Sequence, residues 1–156
     1  MDSEKQRALD LAYRALGRRE RTVVEIRAYL EGKRVEPETI EEVIDELKTT
    51  GFLDDARFAA RFAEDKRTLE QWGRERIERD LCRRGVPREL VAATVGTHDR
   101  DDELGAALEL LARRVPEAPV DERGRDRAWR MLVRNGYEPE LAYEAVRAHG
   151  RQSRAA

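Results

Sequence analysis

Six arginines stand at a spacing that could do chemistry. Arg76, Arg79 and Arg83 recur 51 residues later as Arg127, Arg130 and Arg134. On a helix, positions 0, 3 and 7 share one face, so each triplet forms a stripe of cations. A guanidinium grips phosphate with two donors and stacks on bases, which suits a DNA backbone or an acidic protein surface. A plainer reading stands beside this one. Arg76 can pair with Asp80, and Glu75 with Arg79, at i, i+4, as on any salt-bridged solvated face.

Other reactive residue types lead nowhere. Asp54 and Asp55 are adjacent carboxylates, but a helix start favours such acids, and no histidine, lysine or serine motif accompanies them. His98-Asp99 could begin a metal site, yet the second histidine, His149, lies near the other end of the chain. Cys82 is the single cysteine, which excludes an internal disulfide framework and a cysteine-based zinc site. It reads as a small, semi-buried helix residue. Gly73 and Gly124 stand singly, without the Gly-Lys-Ser/Thr of a phosphate loop. No catalytic residue, metal site or cofactor is expected, and an enzyme is the weakest functional class.

The elements that must position the arginines are helices. Apolar residues follow a helical period almost throughout, as in Leu104, Ala107, Leu108 and Leu111. No run alternates apolar and polar as a half-buried strand requires, so the chain reads as all-α. Ser3-x-x-Gln6 and Thr22-x-x-Glu25 match capping boxes. Gly51, Gly85, Gly136 and Gly150 each follow an apolar run and suit the left-handed residue that ends a helix. Pro37, Pro87 and Pro139 open helices. These signals predict helices over 4–17, 22–31, 37–50, 54–70, 74–84, 87–96, 101–115, 121–135 and 139–149. Phe52, Phe58 and Phe62 are expected in the core. Trp72 and Trp129 are read as packing residues, with an exposed contact as the alternative for Trp72 and base stacking as the alternative for Trp129.

The nine helices fall into three groups of three. Leu30, Leu81 and Leu132 are spaced by 51 residues, as are Ile26, Ile77 and Ala128; Thr22, Gly73 and Gly124; and Val35, Val86 and Tyr137. Such repeats share interfaces and behave as a quasi-linear array, a form typical of binding proteins. The expected architecture is three tandem three-helix repeats in an elongated, curved array, at 1–53, 54–98 and 99–150, with a disordered tail at 151–156.

Charge is balanced overall and uneven locally. Charged residues make up 41% of the 156 residues, yet the net charge is −2, which argues against binding DNA by bulk charge alone. Glu31 to Asp55 carries net −6, whereas Arg57 to Arg88 and Arg123 to Arg134 each carry +4. Arg147, Arg151 and Arg154 add to the basic end. The acidic run, Glu38 to Glu46, lies opposite Ile40, Val43, Ile44 and Leu47 and reads as a solvated face. No apolar run approaches the ~20 residues needed to span a bilayer. The chain reads as soluble, cytoplasmic and monomeric.

The motifs also carry a family resemblance. Gly51-Phe52-Leu53-Asp54-Asp55-Ala56-Arg57-Phe58-Ala59 resembles the signature of the RecX family, regulators of the recombinase RecA. Upstream, Arg21-Thr22-Val23-Val24-Glu25-Ile26 with Leu30 is similar to that family's basic–Ser–x–x–Glu–Leu…Leu element. Downstream, Gly73-Arg74-Glu75-Arg76-Ile77 with Leu81 and Arg84-Gly85-Val86 looks like its Gly-x-x-Arg-Ile…Leu…Lys-Gly-Ile. Leu132-Val133-Arg134-Asn135-Gly136-Tyr137 is similar to its Leu-x-x-Arg-Gly-Phe. The resemblance implies binding in the groove of the RecA–DNA filament and inhibition of RecA's ATP hydrolysis, strand exchange and co-protease action in recombination and the SOS response. It implies contact with single- and double-stranded DNA weakly or through RecA. The signature residues Gly51, Phe52, Leu53, Asp54, Asp55, Arg57 and Phe58 would then serve structure or partner contact. Two other readings stay open, a stand-alone helical nucleic-acid-binding protein and an adaptor with no nucleic-acid role.

Overall fold

The computed structural model describes residues 2–155. Among these it holds nine helices and no strand: α1 (Asp2–Arg18), α2 (Val23–Gly32), α3 (Pro37–Thr49), α4 (Asp55–Glu70), α5 (Arg74–Arg83), α6 (Arg88–Val95), α7 (Arg100–Arg114), α8 (Glu122–Arg134) and α9 (Pro139–Ala155). The chain forms two compact units. Among the described residues, one contains 2–61 and 81–91; the other contains 62–80 and 92–155.

In the first unit, α1, α2 and α3 pack against one another. Their apolar faces meet in a core of small alanines on α1 (Ala8, Ala12, Ala15) and branched residues on α2 and α3 (Ile26, Leu30, Ile40, Val43, Ile44, Leu47). The alanines let the helices approach closely, and the branched residues fill the space between them. In the second unit, α7 and α8 both pack on α9, around Leu110, Leu111, Leu132, Tyr137, Leu141 and Val146. Ile77, Leu81, Val86, Val91 and Val95 are the buried residues of α5, α6 and their connection.

The 51-residue register holds at the level of single hydrogen bonds. Helices α2, α5 and α8 are closed by the same motif. Val35, Val86 and Tyr137 each donate their amide to the carbonyl five residues back, of Leu30, Leu81 and Leu132, at 3.1 Å in all three. The residue before each adopts a left-handed backbone: Arg34 (φ 61), Gly85 (φ 88) and Gly136 (φ 101). This is the Schellman closure, which satisfies otherwise orphaned terminal carbonyls.

Several sequence expectations need correction. Ser3 lies inside α1 and therefore caps nothing. Gly150 does not end α9, which continues to Ala155, so residues 151–155 are helical where a disordered tail was expected; residue 156 lies outside the described residues. Basic side chains suit a helix C-terminus, and Arg154 Nε donates back to the Gly150 carbonyl at 3.3 Å. Phe52 is 53% exposed rather than core, because it follows the left-handed turn at Gly51 (φ 84) and meets Tyr13 edge-on at 5.1 Å. Cys82 is exposed rather than semi-buried, since Leu81 takes the inward position beside it.

Candidate functional site

The arginine triplets do not form two equal stripes. On α5, Ile77 and Leu81 turn fully inward, which leaves Arg79 and Arg83 exposed. Arg76 is half-buried. Its guanidinium lies 3.8 Å over the Trp72 ring, and its Nη1 donates to Asn135 Oδ1 at 3.0 Å. Trp72 is 7% exposed and packs edge-on to Phe62 at 6.1 Å, so it is a packing residue. On α8, Arg127, Arg130 and Arg134 are all exposed. Arg130 pairs with Asp126 at 3.1 Å, both more than half exposed, a solvent-screened contact of small energetic weight. Trp129 is tied to α9, its Nε1 donating to the Pro139 carbonyl at 2.9 Å.

Arg76 belongs instead to a junction that occurs twice. In the first unit, Thr22 Oγ1 donates to the Arg84 carbonyl at 2.7 Å, and Arg84 Nε pairs with Glu25 at 3.3 Å while its guanidinium sits 4.7 Å over Phe58. In the second unit, the Gly73 amide donates to the Asn135 carbonyl at 2.7 Å, and Glu75 N donates to the Gly136 carbonyl at 3.0 Å. Thr22 and Gly73, Glu25 and Arg76, Arg84 and Asn135, and Gly85 and Gly136 are register equivalents. A Cβ on Gly85 would lie 2.5 Å from Val24, and one on Gly136 would lie 2.5 Å from Arg76. Glycine is thus demanded twice over, by the positive φ and by the neighbouring side chain.

A carboxylate completes each junction. Asp55 Oδ1 accepts the Val23 amide at 3.0 Å, so an acid of α4 caps α2. Glu103, 3% exposed, accepts the Arg74 amide at 2.7 Å, so an acid of α7 caps α5. Each satisfies an orphaned N–H and faces the positive end of a helix dipole. Burial pushes both carboxyls above the usual range. The Val23 amide opposes that shift at Asp55, and the Arg74 amide and the cations Arg67 and Arg74 oppose it at Glu103.

The signature segment is largely structural. Leu53 is buried, and Asp54 Oδ1 accepts the Arg57 amide at 3.0 Å. Arg57 Nη2 donates to the Gly51 carbonyl at 2.8 Å, and Phe58 is 5% exposed. Phe52 is the segment's one large apolar side chain that stands outward, beside a pocket of about 200 Å³ that Leu16, Arg21, Asp54 and Arg57 also line. The acidic helix α3 presents Glu38, Glu41, Glu42 and Asp45 to solvent, with Glu41 held by Arg27 at 2.8 Å.

One surface escaped the sequence reading. An open groove of about 1750 Å³ runs beside α8 and α9, lined by Arg123, Arg125, Arg147, Arg151, Arg154 and Tyr143, among others. Tyr143 is 59% exposed, and the Arg147 guanidinium lies 5.7 Å over its ring. The signal available in the sequence was the cluster of bases on α9, which has no counterpart in the other two repeats. His149 contributes no chemistry to this surface; it is buried, with its Nε2 2.6 Å from the Val115 carbonyl.

The fold and its twice-built junction define an all-helical tandem-repeat protein whose arginines face solvent on two equivalent helices. Comparison with known proteins is more specific. Residues 8–47 match the first three-helix domain of RecX, and residues 54–95 match the second. The chain is 32% identical to the regulatory protein RecX of Deinococcus radiodurans over 146 residues, covering 94% of this chain and 70% of that one. It is 32% identical to the RecX of Amycolatopsis mediterranei over 154 residues, covering 95% and 88%. The crystal structure of RecX from Lactobacillus salivarius superposes over the whole of both chains with a TM-score of 0.82, at 14% identity, which speaks to the fold. The chain belongs to the RecX family of regulatory proteins.

Proposed function

We propose that the chain regulates the recombinase RecA by binding the RecA–DNA filament, and that its effect is inhibition of ATP hydrolysis, strand exchange and co-protease action. The observation that carries this reading is the set of exposed arginines on two register-equivalent helices, Arg79 and Arg83 on α5 and Arg127, Arg130 and Arg134 on α8. They suit phosphates or an acidic protein surface. Membership of a family named for regulation supplies the context. In this reading the protein acts in the cytoplasm, as a monomer and by binding rather than catalysis. Among the described residues, no helix is long and apolar enough to cross a membrane. Arg76 holds the junction, and Phe52 with Tyr13 offers an apolar protein contact.

The test is RecA's single-strand-dependent ATP hydrolysis, with RecA from the same organism and this protein titrated in. Inhibition well below one molecule per RecA is expected. No effect at severalfold excess overturns the reading.

The α8–α9 groove favours a second reading, direct binding of single-stranded DNA without RecA. Arginines along a groove with an exposed tyrosine match the backbone-plus-stacking mode of such sites. Steeply salt-dependent binding to an oligonucleotide, lost in Tyr143→Ala, would support it.

A further inference from the structure

Each junction has a donor side, the start of α2 or α5 at Thr22 or Gly73. It also has an acceptor side, the carbonyl–glycine step Arg84–Gly85 or Asn135–Gly136. Within residues 2–155 the register leaves one further acceptor step, Lys33–Arg34 in the first unit, and one further donor position, Gly124 in the second.

Both are filled by this chain's own side chains. The Lys33 carbonyl, equivalent to those of Arg84 and Asn135, accepts from Arg7 Nη2 at 2.9 Å. Arg34 holds the left-handed backbone of Gly85 and Gly136 (φ 61), yet carries a side chain where those glycines admit Val24 and Arg76. At Gly124, equivalent to Gly73, the amide donates to Asp121 Oδ1 at 2.8 Å, and an added Cβ would lie 2.8 Å from Pro119 Cβ. Helix α8 also begins at Glu122, a turn earlier in the register than α2 and α5, and so covers its own start.

We propose that Arg7 with Arg34, and Pro119 with Asp121, are caps that close the repeat register at both places against a second copy of this chain. An open acceptor step on one copy would offer an open donor position on another the same carbonyl and the same glycine-width gap that the internal junctions use, with Arg127 and Lys33 at the positions of Glu25 and Arg84, so the association is expected to strengthen as salt screens that pair of cations. That contact is heterologous and does not close on itself, so it would string copies into an open chain. Glycine occupies the Arg34 position in both other repeats, and a left-handed arginine is unfavourable. The backbone therefore does not ask for arginine there; keeping the gap shut does. The inference is independent of what the protein regulates.

The test is sedimentation velocity across a concentration series, with helical content checked by circular dichroism. The parent, Arg7→Ala/Arg34→Gly and Pro119→Gly/Asp121→Gly are each expected to keep one constant mass. The fourfold variant is expected to at least double its average mass as concentration rises. A mixture of the two double variants is expected to form a one-to-one complex, and that mixture decides the matter if the fourfold variant loses helix. A folded fourfold variant at constant mass, a mixture with no complex, or either double variant associating alone overturns the proposal.

Discussion

Gly73 and Gly136 meet backbone to backbone: a Cβ on Gly73 would stand 2.5 Å from the carbonyl carbon and oxygen of Gly136. Neither partner is a flexible side chain that could swing away. Gly73→Ala should therefore destabilise the second unit by about 2–3 kcal/mol, the upper range for overpacking. Gly105, on the exposed side of α7 with nothing within 4 Å of an added Cβ, should behave oppositely. Gly105→Ala should stabilise by ~0.5–1 kcal/mol through helix propensity. Urea unfolding of both variants checks the pair of signs.

Thr22 is fully buried and works twice, donating to the Arg84 carbonyl at 2.7 Å and accepting the Glu25 amide at 3.1 Å. Thr22→Val keeps the shape and removes both bonds, at a cost of about 1–3 kcal/mol. Thr22→Ser keeps the hydroxyl and should lose far less. A loss in Thr22→Ser as large as that in Thr22→Val would contradict the assignment to the hydroxyl, and an unchanged Thr22→Val would show that only the methyl group matters.

The buried Glu103 should make stability fall as pH rises through the carboxylate range. Its folded-state pKa is raised chiefly by burial, so the native state holds that proton to higher pH than the unfolded chain does. Native stability is then favoured at low pH and declines between the ordinary glutamate value and the raised one. Its Oε2 has no hydrogen-bond partner among the described residues. Glu103→Gln keeps an acceptor for Arg74 N and cannot ionise. The difference in melting temperature between parent and variant should shift in the variant's favour as pH rises above about 4.3. A difference independent of pH would contradict the assignment.

Function and stability should separate along the arginines. Changing Arg79, Arg83, Arg127, Arg130 and Arg134 together to alanine should abolish inhibition of RecA's ATP hydrolysis with little change in melting. Arg76→Ala should instead lower stability by about 1–3 kcal/mol, since it removes the stack on Trp72 and leaves the buried Asn135 Oδ1 unpaired. Full inhibition by the fivefold variant would exclude those arginines as the contact.

What the sequence made legible was whatever repeats locally. The buried series Ile26, Ile77, Ala128 and Leu30, Leu81, Leu132 is plain from periodicity, and Gly85 and Gly136 mark their closures because the left-handed residue is a local signal. The junctions were not legible, because their partners lie about sixty residues apart and share no period. Glu103 stands in sequence among the acids of the first turn of α7, yet its carboxylate caps another helix. Arg76 carried the same letter as Arg79 and Arg83, and only its place against Trp72 and Asn135 distinguishes it. Phe52 failed for a related reason: apolarity argued for burial, but the turn at Gly51 aims it outward.

The side chain three places after the donor position also fixes the order in which the repeats can be assembled. It is Glu25 in the first repeat, Arg76 in the second and Arg127 in the third, and the native partners are Arg84 for Glu25 and Asn135 for Arg76. Had the second or third repeat docked on the second repeat of a neighbouring molecule, arginine would face Arg84, cation against cation. Had the first docked on the third, Glu25 would exchange an ion pair for an amide. A second or third repeat docked on a neighbour's second repeat thus meets a worse match at one residue, so the charge sequence acid, base, base biases a crowded, newly made chain toward seating its first repeat on its second.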